Sequence, residues 1–220
     1  MAASPAPHAT VATSNLQAFD RPLTFQRLPL CPEIGLWLLD ADLDLEASCR
    51  GLERLEAPPF WAFCWGSGQA MARFILDHPE RFRGKRIVDF GTGSGVAAIA
   101  AALAGAARVD AVDVDPQARR ATALNAQSNR VEIATHPRLP KDWDLLVASD
   151  ILYEPQPLDR LRPLVREGRP ILLSDPERPS SPRLGLPSLA RYAVRTLPDV
   201  DSPACSAAIF EFGPENLTRV

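Results

Sequence analysis

Residues 86–107 read RIVDFGTGSGVAAIAAALAGAA, and residues 108–116 continue RVDAVDVDP. A strand-like apolar run ends in an acid, Asp89, and Gly91, Gly93 and Gly95 then alternate with small residues. An alanine-rich helical pattern follows, with Val96, Ile99, Ala100 and Leu103 at helical spacing. A second apolar run ends in another acid, Asp113. Glycines at a strand-to-helix turn strip the backbone of side chains and let a ligand lie against it. An acid ending the next strand can accept hydrogen bonds from both hydroxyls of a ribose. The stretch therefore reads as a seat for a nucleoside-bearing cofactor, with a ligand-free glycine turn as the plain alternative.

The charge pattern separates two such cofactors. A dinucleotide site usually reads GxGxxG and presents a helix N-terminus to a pyrophosphate. Here the spacing is GxGxG, with Asp89 just ahead of it. An acid at that point repels a pyrophosphate and pairs with an ammonium group. The amino end of S-adenosylmethionine carries one, so the methyl donor is the expected ligand.

The 220 residues, 46% hydrophobic, suit one globular domain with an N-terminal extension. The net charge of −3 and pI near 5.7 argue against a broadly basic nucleic-acid face. Cys31, Cys49, Cys64 and Cys205 are scattered, without CxxC or histidine partners at ligand spacing, so free thiols and no metal are expected. No apolar run suits a membrane span. Residues 1–15 are expected to be a disordered tail; they lack both the apolar core of a secretory signal and the early arginines of a transit peptide. The cytoplasm is the expected compartment. Residues 16–60 read as an extension packing on the core, and 61–220 as the main domain.

The rest of the chain sets the fold class. Residues 34–45 are expected to be extended, in a hairpin over the core. Helix is expected over 66–78 and from Asp115 as N-cap with Pro116 at the first position. Further helices are expected near 157–167 and 187–192. Strands are expected at 86–90, 108–114, 131–135, 144–149 and 170–174, with two final runs at 192–198 and 207–213. Apolar runs without alternation belong to strands covered on both faces. The expectation is thus an α/β fold, Rossmann-like and doubly wound. Its seven-stranded sheet is mainly parallel, with an antiparallel hairpin at the C-terminal edge.

A second candidate site is Asp150-Ile151-Leu152-Tyr153, directly after DLLVAS. In an open α/β sheet, ligands lie beyond the carboxyl ends of the strands. Asp150 and Tyr153 would then meet whatever approaches the cofactor. A helix cap or turn is the competing role for Asp150.

Together these segments resemble the seven-β-strand methyltransferases, and more narrowly the lysine methyltransferases of the electron transfer flavoprotein β subunit. The resemblance runs through PPFWAFCWGSGQAMARFILDHPE, GKRIVDFGTGSG, VDVDP, DWDLLVASDILYE, ILLSDPERP and the terminal IFEF. It implies S-adenosylmethionine as cofactor and the flavoprotein subunit as protein partner, while the charge and hydropathy above argue against nucleic acid and membrane as partners. By this resemblance Gly91, Thr92 and Gly93 would lie under the donor's methionine part, with Asp89 near its amino group. Asp113 would bind the ribose, and Trp65 would wall the pocket. Asp150 and Tyr153 would be the catalytic pair at the acceptor site, with Asp175 and Arg178 on its rim. Trp61 would help shape an aromatic slot for the amine, or else pack in the core. The chain departs from the family in having Gly66 where proline is usual. It also departs in Ala134-Thr135-His136, which lacks the usual acid or amide toward adenine. A methyltransferase for another protein or a small nitrogen compound stays open at this point, as does a non-catalytic cofactor-binding module.

Overall fold

The computed structural model describes residues 17–18, 21–40, 59–152, 161, 163–164, 167–176, 186–199 and 205–212. Three segments precede the main sheet: strands β1 (Gln17–Ala18) and β2 (Arg21–Pro22), then a hairpin of β3 (Thr24–Arg27) and β4 (Gly35–Leu38). A short 3-10 turn at Phe60–Ala62 leads into helix α1 (Gly66–Asp77). Strand and helix then alternate: β5 (Arg86–Phe90), α2 (Val96–Leu103), β6 (Arg108–Val112), α3 (Pro116–Ser128), β7 (Ala134–His136). The remaining strands are β8 (Leu145–Ser149), β9 (Ile171–Asp175), β10 (Ala190–Val194) and β11 (Cys205–Phe212).

Among the described residues, seven of these strands form one sheet in the order β10-β11-β9-β8-β5-β6-β7. Neighbours from β9 to β7 pair in parallel, and β11 pairs antiparallel with both β9 and β10. The expected doubly wound, mainly parallel sheet with a terminal antiparallel pair is what forms. One detail differs: β11 slides between β10 and β9, leaving β10 alone at the edge. Strand β11 brings Ala207, Ala208, Ile209, Phe210 and Phe212, all buried, which suits an interior position. The shorter, half-exposed β10 suits an edge.

Residues 187–192, expected to be helical, are extended, and β10 begins at Ala190. The N–H of Leu189 already donates to the carbonyl of Ile209 (2.8 Å), so pairing with β11 overrides the local helical signal. Strand β6 stops at Val112 rather than 114, because Asp113 and Asp115 turn the chain with their own carboxylates. Strand β7 begins at Ala134, later than the spacing suggests. The expected helix over 157–167 is described at positions 161, 163 and 164, which are helical, and at 167, which is in a turn. The 1–15 tail lies outside the described residues.

The parallel strands bury both faces. Ile87, Val109, Ala111, Leu145, Val147 and Leu172 join α1 and α2 in one apolar cluster. Val88, Val112, Leu146, Ala148, Ile171 and Leu173 build another on the opposite face. Alternate residues of each strand divide between the two. The connection reverses direction at β5: β6 lies on one side and β8 on the other. That switch point opens a crevice above the carboxyl ends of β5 and β8.

Candidate functional site

Asp89 is buried near the end of β5, with a small part of it reaching the cleft. Its Oδ2 accepts hydrogen bonds from the Thr92 hydroxyl (2.7 Å) and from the Ala98 N–H in the first turn of α2 (3.2 Å). Burial pushes its carboxyl up to about 6, against these two bonds, which lower it, and helped by the nearby Asp113 charge. The glycine loop between β5 and α2 is closed by its own hydrogen bonds. Gly91 N and Thr92 N both donate to the carbonyl of Val112 (2.8 and 3.0 Å), and Gly95 N donates to Thr92 O (2.8 Å). Gly93 N donates to Asp113 Oδ2 (3.0 Å).

The two outer glycines of the GxG run 93–95 serve different needs. Gly95 has φ +85, and a Cβ there would sit 2.9 Å from Thr122 Cγ2, so α3 packs against its bare backbone. Gly93 has φ +51, and a Cβ there would meet nothing within 4 Å. It faces open space, as a seat for a ligand requires.

That space is a cleft at the carboxyl ends of β5 and β8, open to solvent. Trp65, Asp89, Gly91, Thr92 and Gly93 line it, together with Gly68, Ser94, Val96, Ala97 and Ser149. Asp113 stands behind the loop. One of its oxygens holds Gly93 and the other accepts from Asp115 N (3.0 Å), and each oxygen keeps a further lone pair. Burial raises its carboxyl as well, and the two backbone bonds work the other way. Asp115 caps α3 by accepting from Gln117 N (2.8 Å). Trp65 is fixed by donation from its indole to Phe60 O (3.0 Å) and by ring contacts with Phe60 and Phe63.

On the other side of the cleft, Ser149 leads into Asp150. Asp150 has φ +55, a left-handed conformation rare outside glycine, and its N–H donates to Ser174 O (3.1 Å). Asp175 follows Ser174, buried at the end of β9. Asp150 and Asp175 thus stand on adjacent strand ends. Tyr153 and Arg178 lie outside the described residues. Trp61 is not at the cleft; it is 4% exposed, packed among Leu23, Leu39, Phe63, Ala118 and Ala121. Its burial supports the core role of the two considered.

Gly66, a departure from the family pattern, has a local cause. Its N–H donates to Thr196 Oγ1 (3.2 Å), and a Cβ would press within 2.8 Å of Val194. A proline would forfeit that bond. Sequence reasoning did not single out Ser94, Thr122 or Asn125 around the loop. The signal was present: polar residues 122, 125 and 129 fall on the stripe of α3 that also carries buried Ala118 and Ala121.

The fold and crevice define a class. A solved Pyrococcus horikoshii structure, a candidate RNA methyltransferase, superposes with TM-score 0.56 at 15% identity, over 76% of this chain and 96% of that one. The two share a Rossmann-like, mainly parallel fold. Residues 69–167 match the family model of ribosomal protein L11 methyltransferase. The electron transfer flavoprotein beta subunit lysine methyltransferase of Rattus norvegicus is 34% identical over 177 residues, covering 71% of this chain and 68% of that protein. The Homo sapiens protein of the same name is 39% identical over 132 residues, covering 55% and 50%. The chain belongs to this family of lysine methyltransferases. It spans between half and about two thirds of the length of these curated relatives.

Proposed function

We propose that this chain is an S-adenosylmethionine-dependent protein-lysine N-methyltransferase whose acceptor is the electron transfer flavoprotein β subunit. The observation that carries the donor half is the closed glycine loop. The amides of Gly91, Thr92, Gly93 and Gly95 are spent on internal partners, and a buried carboxylate sits beneath them. Such a seat has few donors left for a pyrophosphate and a negative charge for an ammonium. The open face of Gly93 and the two acids at successive strand ends fit the same donor. Asp89 and the loop would hold its methionine part, Asp113 its ribose, and Trp65 would wall the pocket. When bound, the donor supplies a methyl group activated by a sulfonium.

The chain's own work is alignment and desolvation. A lysine amine must first lose its proton, which costs on the order of 4–5 kcal/mol at pH 7 from a pKa near 10.4. A carboxylate at Asp150 favours the charged amine, so its role is to orient the nitrogen rather than to act as a strong base. The left-handed backbone at Asp150 supports this assignment, since strain of that kind clusters at functional positions. Tyr153, Asp175 and Arg178 complete the acceptor side in this reading. The acceptor's identity is supported by the names of the relatives. We take residues 61–220 as the methyltransferase domain and 16–60 as its extension.

We also place the protein in the cytoplasm. Cys31 and Cys64 are free, buried thiols, as a reducing compartment allows. Among the described residues, no helix is long and apolar enough to cross a membrane. The acidic net charge supports a partner other than nucleic acid.

Labelled S-adenosylmethionine incubated with the purified flavoprotein β subunit tests the proposal directly. Label on a lysine of that subunit, mapped by mass spectrometry, is the expected result. Absence of label on that subunit, from protein that binds the donor, would overturn the acceptor assignment. Asn tolerates the left-handed region, so Asp150→Asn keeps the backbone; turnover should drop by roughly 100-fold while donor affinity holds.

A further inference from the structure

Asn125 is fully buried in the middle of α3, and its side-chain amide is satisfied at both ends. Its Oδ1 accepts from the backbone N–H of Trp37 in β4 (2.7 Å), and its Nδ2 donates to the carbonyl of Ser94 in the glycine loop (2.8 Å). Because one partner is an N–H and the other a C=O, the orientation of the amide is fixed. One turn earlier, the Thr122 hydroxyl donates to the carbonyl of Gly93 (3.2 Å). Two consecutive loop carbonyls are thus held by α3, from residues Gly93 and Ser94 that also line the cleft, which Thr122 and Asn125 do not.

One turn later, Asn129 treats β4 as a neighbouring strand would. Its Oδ1 accepts from Gly35 N (3.0 Å), and its Nδ2 donates to Gly35 O (2.6 Å). The Trp37 indole adds a bond to Ser128 Oγ (2.9 Å). The free edge of the β3–β4 hairpin is therefore paired with side chains of α3 rather than with another strand. No hairpin residue lines the cleft, yet one side chain joins the hairpin to the loop.

We infer that Asn125 is a positioning residue for the donor site, with the β3–β4 hairpin as its anchor. The inference rests on the donor-site reading above. A buried amide bridging two backbones has no cheap alternative arrangement, because either partner left alone is a buried polar group without a bond. The loop shape that receives the donor is consequently tied to a strand residue 88 positions before Asn125.

Asn125→Asp separates the two bonds. One carboxylate oxygen still accepts from Trp37, but the other faces the Ser94 carbonyl with no proton to give. Binding of S-adenosylhomocysteine, followed by calorimetry, is expected to weaken at least tenfold, and the donor KM to rise by more than kcat falls. Unchanged affinity in a variant that melts normally would overturn the inference. Wild-type protein supplies a second reading should the variant not fold. Saturation with S-adenosylhomocysteine should slow amide exchange at Trp37 N more than at Leu28 N, which bonds Ile34 O at the far end of the same hairpin. Equal changes at the two amides would overturn it. If wild type binds no donor, the donor-site reading falls by itself. Ligand-free exchange at Gly95 N, expected to quicken in the variant, then decides the coupling, and an unchanged rate rejects it.

Discussion

Helices α2 and α3 each follow a strand ending in an acid, yet they are held in place by opposite means. Helix α2 is alanine and aliphatic throughout, with six of its eight residues buried, and Asp89 ties its first turn. Helix α3 carries a polar stripe, and Thr122, Asn125, Ser128 and Asn129 bond the glycine loop and the hairpin. Apolar packing tolerates small shifts, because dispersion and burial are non-directional. Hydrogen bonds between fixed backbones do not. The loop meets α2 through apolar packing and the Asp89 carboxylate and is pinned by side-chain hydrogen bonds on its α3 side, an arrangement that sets its shape without filling the cleft.

Substitutions can break this contrast. The largest loss is expected at the joint between the helices. Gly95→Ala puts a methyl 3.2 Å from the Thr122 backbone in a left-handed conformation, and should cost roughly 3 kcal/mol by denaturant unfolding. Gly93→Ala meets no atom within 4 Å and should cost only about 1 kcal/mol in stability. Its methyl enters the donor's space, however, so donor affinity should drop about tenfold or more, equivalent to ~1.4 kcal/mol. Equal stability losses at the two glycines would abolish the distinction between a packing glycine and a seating glycine.

Asp89 sharpens the contrast in the other direction. Its folded carboxyl titrates at about 6, above the ordinary 3.8. Between those values the folded state holds a proton that the unfolded state has released, so stability falls as pH rises through this window. At pH 7 the whole shift counts against the fold, on the order of 3 kcal/mol. Asp89→Asn keeps an oxygen for Thr92 and Ala98 and removes that cost. It should melt higher than wild type at pH 7 and similarly at pH 4, while binding the donor more weakly. For wild type, donor affinity should decline below pH about 6 as the carboxylate is neutralised. A donor affinity flat from pH 5 to 7 would remove Asp89 from the ammonium seat.

The smallest effect is expected on the hairpin side of α3. Ser128→Ala leaves the Trp37 indole without its acceptor at a half-buried position and should cost about 1 kcal/mol in thermal or chemical unfolding. Donor affinity should scarcely change, since Asn125 still holds Trp37 through its backbone.

Local signals were enough where each residue's role is settled by its neighbours in sequence. The strand–glycine–helix of 86–103 and the Asp115-Pro116 cap were legible. So was the alternation of buried strands with helices, because apolar period, glycine conformation and capping are short-range effects. The stretch 187–192 misled because its helical character competes with strand pairing to residues some twenty positions later, which no local window contains. For Trp61 the sequence left an aromatic slot and the core both open, and its burial among Leu23, Leu39 and Ala118 is likewise beyond any local window. The polar stripe of α3 was visible as a pattern but without a partner to explain it.

By itself, the sequence determined a doubly wound α/β chain, a glycine turn between two acid-ended strands, and an acid-led segment after the strand at 145–149. Each follows from hydrophobic period and from chemistry within a few residues. Only the tertiary structure decided that β11 inserts inside the sheet, that Trp61 is core, and that Asn125 joins a hairpin near residue 37 to a loop near residue 94. Hydrogen-bond partners across such separations are set by how layers pack, and packing is a property of the whole fold rather than of any stretch of chain.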